Sequence, residues 1–399
     1  MTANVSSPIA GFFQSLNIPG EESIPFELPP ALCATGPAPT SNASTIVVEA
    51  EACITLHGEG RHVAVIVSAD MFVVFPEREL GTDYIIASYP PREEFDYSEF
   101  TITSPNQDTD VTIRLTAPVT IDGTSYDSGS SVTIVLTQYE SMQLQSSSDL
   151  TGTRIFSTKP IAVVSGNACN IIVEGGNHDY FAEQLPSVDK WGSEFTIAPF
   201  SSQSFGYTFR VIAAYDDTSV MINGVATILQ ESQVLDRNIT TSEIVRVVSS
   251  HHVLVVQFMR SYVADIVVDE TGPSMILINA NNQYSSGTMV FSVSNYDRLF
   301  ASVVVLSGQL ESFTLDGASF PNHWNATIAL DATLIQGQFF DTNGRHVIQS
   351  NDFNARFAVY IYSTGISISN AYSAAFNFGC SISGEFFVYR TRGWYNTPT

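Results

Sequence analysis

Short runs of alternating apolar and polar residues fill most of the chain. They include residues 45–48, 63–67, 109–115, 131–136, 209–213, 219–222, 253–257, 275–278, 303–306 and 357–361. Val, Ile, Thr, Tyr and Phe dominate these runs, and Gly, Asn, Asp or Ser close them, which is the signature of strands. A period of two puts one face of each strand in a core and the other in water. A further apolar run, Ile54-Thr55-Leu56, is also expected as a strand. No long run carries a helical period. Only residues 179–185, stopped by Pro186, predict one or two helical turns. The pattern predicts an all-β protein of repeated short antiparallel strands.

The runs also recur. Phe100-Thr101-Ile102-Thr103 leads to Asp108-Thr109-Asp110-Val111-Thr112-Ile113, as Phe209-Arg210-Val211-Ile212 leads to Asp217-Thr218-Ser219-Val220-Met221-Ile222. Asp122-Gly123 and Asn223-Gly224 follow, and a third such pair, Asp316-Gly317, follows Phe313. These dipeptides favour the tight turns of antiparallel hairpins. A second motif, Arg154-Ile155 with Pro160-Ile161-Ala162-Val163-Val164, resembles Arg246-Val247 with His252-Val253-Leu254-Val255-Val256. Arg345-His346-Val347 with Phe357-Ala358-Val359 is a looser version. Units that cannot bury an apolar face alone stack on their neighbours. The expected architecture is β-propeller-like, with about seven or eight blades of about 40 residues, and tandem β-sandwiches are the alternative. The chain is expected to divide into an N-terminal extension (1–44), a repeated β domain (45–365) and a C-terminal strand and tail (366–399).

Charge narrows the partners. The 16 Lys and Arg face 40 Asp and Glu, a formal net charge of −24, and this field repels nucleic-acid phosphates and anionic membrane surfaces. Only 14% of residues are charged, so Ser, Thr, Asn and Gln make up much of the polar surface. No apolar stretch is long enough for a membrane span. The opening residues show no basic region followed by an apolar one, and the start reads as internal, which fits a fragment or an incomplete sequence if the chain is secreted and otherwise argues against secretion. Asn4, Asn42, Asn238 and Asn325 lie in glycosylation sequons and, with the cysteines, point to secretion.

Four cysteines, Cys33, Cys53, Cys169 and Cys380, include no CxxC pair, which argues against a zinc finger. Three pairings are open. Cys33–Cys53 closes a short loop and is the first expectation, leaving Cys169–Cys380 by elimination.

Catalytic motifs do not appear. Gly-x-Ser-x-Gly, His-Glu-x-x-His and a glycine-rich phosphate loop are absent. No catalytic residue, cofactor or metal is therefore assigned. His178 and Asp179, with Glu183, are the most polar candidate for an interaction site, and loop and cap roles explain them more simply. His62, His251 and His252 lie in or beside β runs. Asp108, Asp110, Asp216 and Asp217 suit turns, with a calcium loop as the rival reading. The stretch 84–99 carries Tyr89, Phe95 and Tyr97 in an acidic, loop-like setting, which makes these aromatics candidate protein-binding anchors. A glycan-cleaving enzyme would need two carboxylates about 5–10 Å apart, and the sequence pairs none.

The stretch 150–192 is the most distinctive. It reads Leu150-Thr151-Gly152-Thr153-Arg154-Ile155-Phe156-Ser157-Thr158-Lys159-Pro160, continues through Ser165-Gly166-Asn167, and ends in Glu183-Gln184-Leu185-Pro186-Ser187-Val188 and Trp191-Gly192. Gly81-Thr82-Asp83-Tyr84 accompanies it. Over residues 60–365 the chain resembles the IgGFc-binding protein N-terminal domain family. The resemblance implies an extracellular, non-enzymatic binding or structural module associated with mucus, matrix or adhesion, with a protein or glycan as partner. A carbohydrate-binding module, or a glycan-active enzyme on a β scaffold, is the alternative. The family's pattern has a second cysteine shortly after the position of Cys169, where this chain has His178, so that local disulfide is not carried over. Four cysteines cannot supply the cysteine-rich repeats of the large family members.

Overall fold

The computed structural model describes the whole chain except residues 20–22, 30–31, 33, 36–44, 53, 63–67, 95, 173–175, 202–205, 241, 261–271, 294–297, 309, 340–343, 366–367, 375–383, 389–390 and 393–399. Among the described residues the regular structure is β strand with short 3-10 turns, and no helix is long and apolar enough to cross a membrane. The chain divides into two compact units. One comprises Met1–Glu174, His178–Lys190 and Cys380–Thr399, the other Gly175–Asn177 and Trp191–Gly379.

In the first unit one long strand, Arg154–Asn170, organises a seven-stranded arrangement. Its first part pairs with Gly81–Ile85 on one side and Thr109–Arg114 on the other. Its second part pairs with Tyr97–Thr103 and Asp179–Gln184. Ser131–Leu136 extends the first face and Ser141–Ser146 the second. The strand leaves one sheet and enters another near Pro160, where the register shifts. Proline lacks the N–H that a continuous ladder needs. A separate four-stranded sheet joins Phe12–Asn17, Thr2–Ser7, Ile46–Ala50 and Gly384–Val388. Val5, Ile46, Val48, Phe72, Val164 and Tyr180 pack in one core cluster of this unit.

The second unit repeats this plan. Its long strand, Val245–Met259, pairs first with Gly192–Ile197 and Thr218–Ile222, then with Tyr207–Ala213 and Ser274–Leu277. Val225–Leu229 and Val234–Ile239 take the outer places. A third version follows with the long strand broken in two. Gly344–Ser350 pairs with Thr288–Val293 and Phe313–Leu315, while Arg356–Gly365 pairs with Arg298–Ser307 and Ile368–Ser373. The polar turn between them, where Ala355 N–H donates to the Asp352 carbonyl at 3.0 Å, marks the break. The second and third versions share a core that includes Phe195, Phe209, Val255, Phe300, Val304 and Tyr362.

These pairings correct the propeller expectation. A blade is a meander of sequential neighbours, about 40 residues long. Here the second half of the long strand lies between the strand that follows it and one several strands earlier in the chain, and the repeat is more than twice as long. The architecture is tandem and sandwich-like. The recurrence of Phe100 as Phe209 already marked the longer period.

The tight turns follow the dipeptides. Asp122 and Gly123 have φ of 49° and 76°, Asn223 and Gly224 46° and 86°, and Asp316 and Gly317 52° and 78°. Two successive positive φ values match the twist of paired strands, and Asn, Asp and Gly reach them at least cost.

Two local expectations fail. Residues 179–185 are not helical: Asp179–Gln184 is a strand with every residue buried. A strand covered on both faces shows no alternation, so periodicity gave no warning. Ile54-Thr55-Leu56 lies outside any strand.

Candidate functional site

The first repeat concentrates buried polar groups at the far end of its long strand. Ser165, Asn167 and Asn170 are buried there, and so are Glu99, Asp179, Glu183 and Gln184 on its neighbours. Asn167 clamps the loop that precedes Tyr97–Thr103: its side chain accepts from the Tyr89 N–H and donates to the Tyr89 carbonyl, both at 2.8 Å. Asn170 Nδ2 donates to the Pro90 carbonyl at 3.1 Å. The distinctive Leu150-Thr151-Gly152 turn holds the residues just before Tyr89. Ser88 N–H donates to Thr151 Oγ1, and the Gly152 N–H to the Ile86 carbonyl, each at 3.0 Å. The first half of the loop is thus fastened by its backbone along residues 86–90.

Asp96, Cys169 and His178 meet at this rim, each offering one polar atom within 4.8 Å of the others. Strand register brings them together. Cys169 lies opposite Tyr97, the neighbour of Asp96, and Asn170 lies opposite Asp179, the neighbour of His178. Bulges interrupt both ladders between Asn167 and Cys169 or Asn170, and such bulges re-aim side chains. His178 Nδ1 lies 3.0 Å from Asp96 Oδ1, and its Nε2 lies 3.2 Å from Glu93 Oε2. Asp96 Oδ2 accepts the N–H groups of Arg92 (3.1 Å) and Glu93 (3.0 Å). The Asp96 carboxylate, and then Cys169, favour the imidazolium and push the His178 pKa up to about 10 against the opposing effect of burial.

Glu99 stands three residues on, fully buried. Gln143 Nε2 donates to its Oε2 at 2.7 Å, and Gln145 donates to the same oxygen. Burial pushes this carboxyl up to about 7, and the bonds from Gln145 and Gln143 act the other way.

The structure places the expected site residues unevenly. Tyr89 is buried, Tyr97 is half-buried, and Phe95 lies outside the described residues. Asp179 is buried, with its own carboxylate accepting the Tyr180 N–H at 2.9 Å. His178 gathers with Cys169 of the long strand and with Asp96, the residue before Tyr97–Thr103. Asp108 and Asp217 occupy corresponding left-handed turn positions, at φ 48° and 53°. His251 and His252 lie in the second long strand beside the Tyr215 ring, and His62 ends the strand His57–His62. Asn4 is half-buried, Asn238 and Asn325 are exposed, and Asn42 lies outside the described residues.

The disulfide expectation is corrected. No disulfide occurs among the described residues: Cys169 is a buried thiol beside His178 rather than half of a bond to Cys380. Cys33, Cys53 and Cys380 lie outside the described residues. The register that seats Cys169 against Asp96 and His178 gives its sulfur local polar company that elimination among cysteines could not foresee.

The family model described as IgGFc binding protein matches residues 70–363, which hold all three strand repeats but for their last edge strand. The chain belongs to the IgGFc-binding protein family. Among the curated members of that family, the human IgGFc-binding protein is 26% identical over 254 residues, covering 63% of this chain. The chain corresponds to 5% of that relative's length. No solved structure matches. The 150–192 stretch that carries the family resemblance forms the turn, the long strand and its partner around the rim cluster.

Proposed function

We propose that the chain is an extracellular binding module that performs no chemistry on its ligand, and that the ligand is a carbohydrate. Membership of a family named for binding, over residues 70–363, carries the reading. The rim of the first repeat suits a sugar. Arg92 and Glu93 are exposed, His178 and Tyr97 are half-buried, and the loop beneath them is fastened to the long strand. Charged donors and acceptors beside part of an aromatic ring, on a rigid frame, are what polyhydroxylated ligands need. The exposed Asn238 and Asn325 are proposed glycan carriers. The human relative's name refers to the Fc region of IgG, and Fc is the protein ligand to set against the carbohydrate.

The test is an array of mucin-type and matrix glycans, with IgG Fc as a separate analyte, probed by the chain made through the secretory route. Saturable glycan binding that falls at least tenfold in Arg92→Ala, with an unchanged circular dichroism spectrum, is expected. Binding to Fc alone, or cleavage of a glycan during the assay, would overturn the reading.

A further inference from the structure

We propose that Asp96, Cys169 and His178 form a binding site for one borderline-soft divalent cation, of the zinc class. The ligand set is the first reason. A thiol, an imidazole and a carboxylate converge within 4.8 Å. Tetrahedral ions with bonds of about 2.0–2.3 Å hold their ligands somewhat under 4 Å apart, so small side-chain movements close the site. Sulfur with imidazole selects against calcium and magnesium, which take oxygen.

The second reason is how the three are held. They sit at one level, Cys169 in the central strand and Asp96 and His178 directly before the two strands that flank it, with bulges in the ladders on both of its sides. Asp96 is oriented by the backbone N–H groups of Arg92 and Glu93, which occupy Oδ2 and leave Oδ1 facing His178. Outer contacts of this kind fix a ligating carboxylate. Nδ1 of His178 faces Asp96, so this is the ring nitrogen that takes the ion. Nε2 then keeps its proton and donates to Glu93, 3.2 Å away. This is the carboxylate–histidine–metal relay seen around many zinc ions. The ion replaces the proton shared by Nδ1 and Asp96, and the thiol gives up its own, so binding releases protons. Water completes the coordination on the half-exposed side of His178.

Cobalt(II) is the probe, added to the full chain under reducing conditions, because its thiolate complexes absorb by charge transfer and tetrahedral sites give intense visible bands. One equivalent is expected to bind with a charge-transfer band, and Zn2+ should displace it while millimolar Ca2+ does not. Cys169→Ser should abolish the band. Glu93→Gln changes an exposed side chain, leaves folding intact, and should weaken Zn2+ about 10-fold or more, as loss of an outer-shell partner does. Circular dichroism checks that both variants fold. The absence of a charge-transfer band in the folded, reduced chain would overturn the proposal. So would a band that survives in Cys169→Ser, which would place the ion on another cysteine, or displacement of cobalt by Ca2+ as readily as by Zn2+.

Discussion

The first and second repeats pair their strands alike and fill the far half of the long strand differently. Phe100 faces Ser165 in one, and Phe209 faces Gln257 in the other. On that register Gly166 corresponds to Phe258 and Asn167 to Met259. After two buried valines common to both repeats, the second repeat therefore ends in Phe258 and Met259, both fully buried and opposite Met275 and Ser274. The first ends in a glycine, two asparagines and a thiol. At Gly166 the partner strand closes in so far that a Cβ would lie 1.9 Å from the Phe181 carbonyl oxygen. One ladder thus serves two purposes. Apolar side chains make it a core element, while small and amide side chains leave backbone and polar atoms to hold a loop.

The contrast can be broken most forcefully in the second repeat. Phe258→Ala should cost about 3–5 kcal/mol, from lost apolar burial and the cavity left behind, read as a lower urea midpoint. The mirror change, Gly166→Ala, adds one methyl group where Phe181 backbone stands and should cost about 1–3 kcal/mol. An unchanged midpoint for Gly166→Ala would show that the two strand ends are not packed as differently as their sequences are.

The pH dependence of the first repeat comes next. Native Glu99 keeps its proton up to about pH 7, whereas the unfolded chain releases it near 4.5. Between those values the folded state holds the extra proton, so the Glu99 contribution falls as pH rises, by about 3 kcal/mol across the window. His57, pushed down by burial to about 4 from 6.5, works in the opposite sense, adding stability as pH rises from 4 to 6.5. Glu99→Gln should remove the first trend and leave the second. Stability of the variant relative to the parent is then higher at pH 8 than at pH 4.5. Parallel urea-midpoint profiles for the two proteins would refute this.

Asn167→Ala removes both side-chain bonds to Tyr89 and should cost about 1–3 kcal/mol, with faster hydrogen exchange at the Tyr89 amide. Its counterpart, Met259→Ala, should leave that amide untouched. The smallest effect belongs to Val225→Ser. Val225 lies on an outer strand of the second repeat and is 67% exposed, so a midpoint change within about 0.5 kcal/mol is expected.

Legibility differed by feature. Alternation over 109–115, 131–136 and 219–222 marked strands because each has one wet face, as the burial of Thr109–Arg114 and Thr218–Ile222 confirms. Asp179–Gln184 escaped because both of its faces are covered. The repeats were visible, but their period was read as a blade because short strands alone do not say which strands pair. His178 stood out by its setting. Asp96 did not, nor did Cys169 as its partner, since no spacing links them.

The sequence by itself determined the β class, the turns with paired positive φ, the internal recurrence and the family. These rest on local sterics and on a period of two, which act between near neighbours in the chain. Tertiary structure alone decided that the first long strand serves two sheets, that Gly166 admits a backbone where Phe258 fills a core, and that Asp96, Cys169 and His178 share one rim. Those outcomes depend on register between strands distant in sequence. A slip of one residue turns every side chain to the opposite face, and only the packed core selects the register that holds.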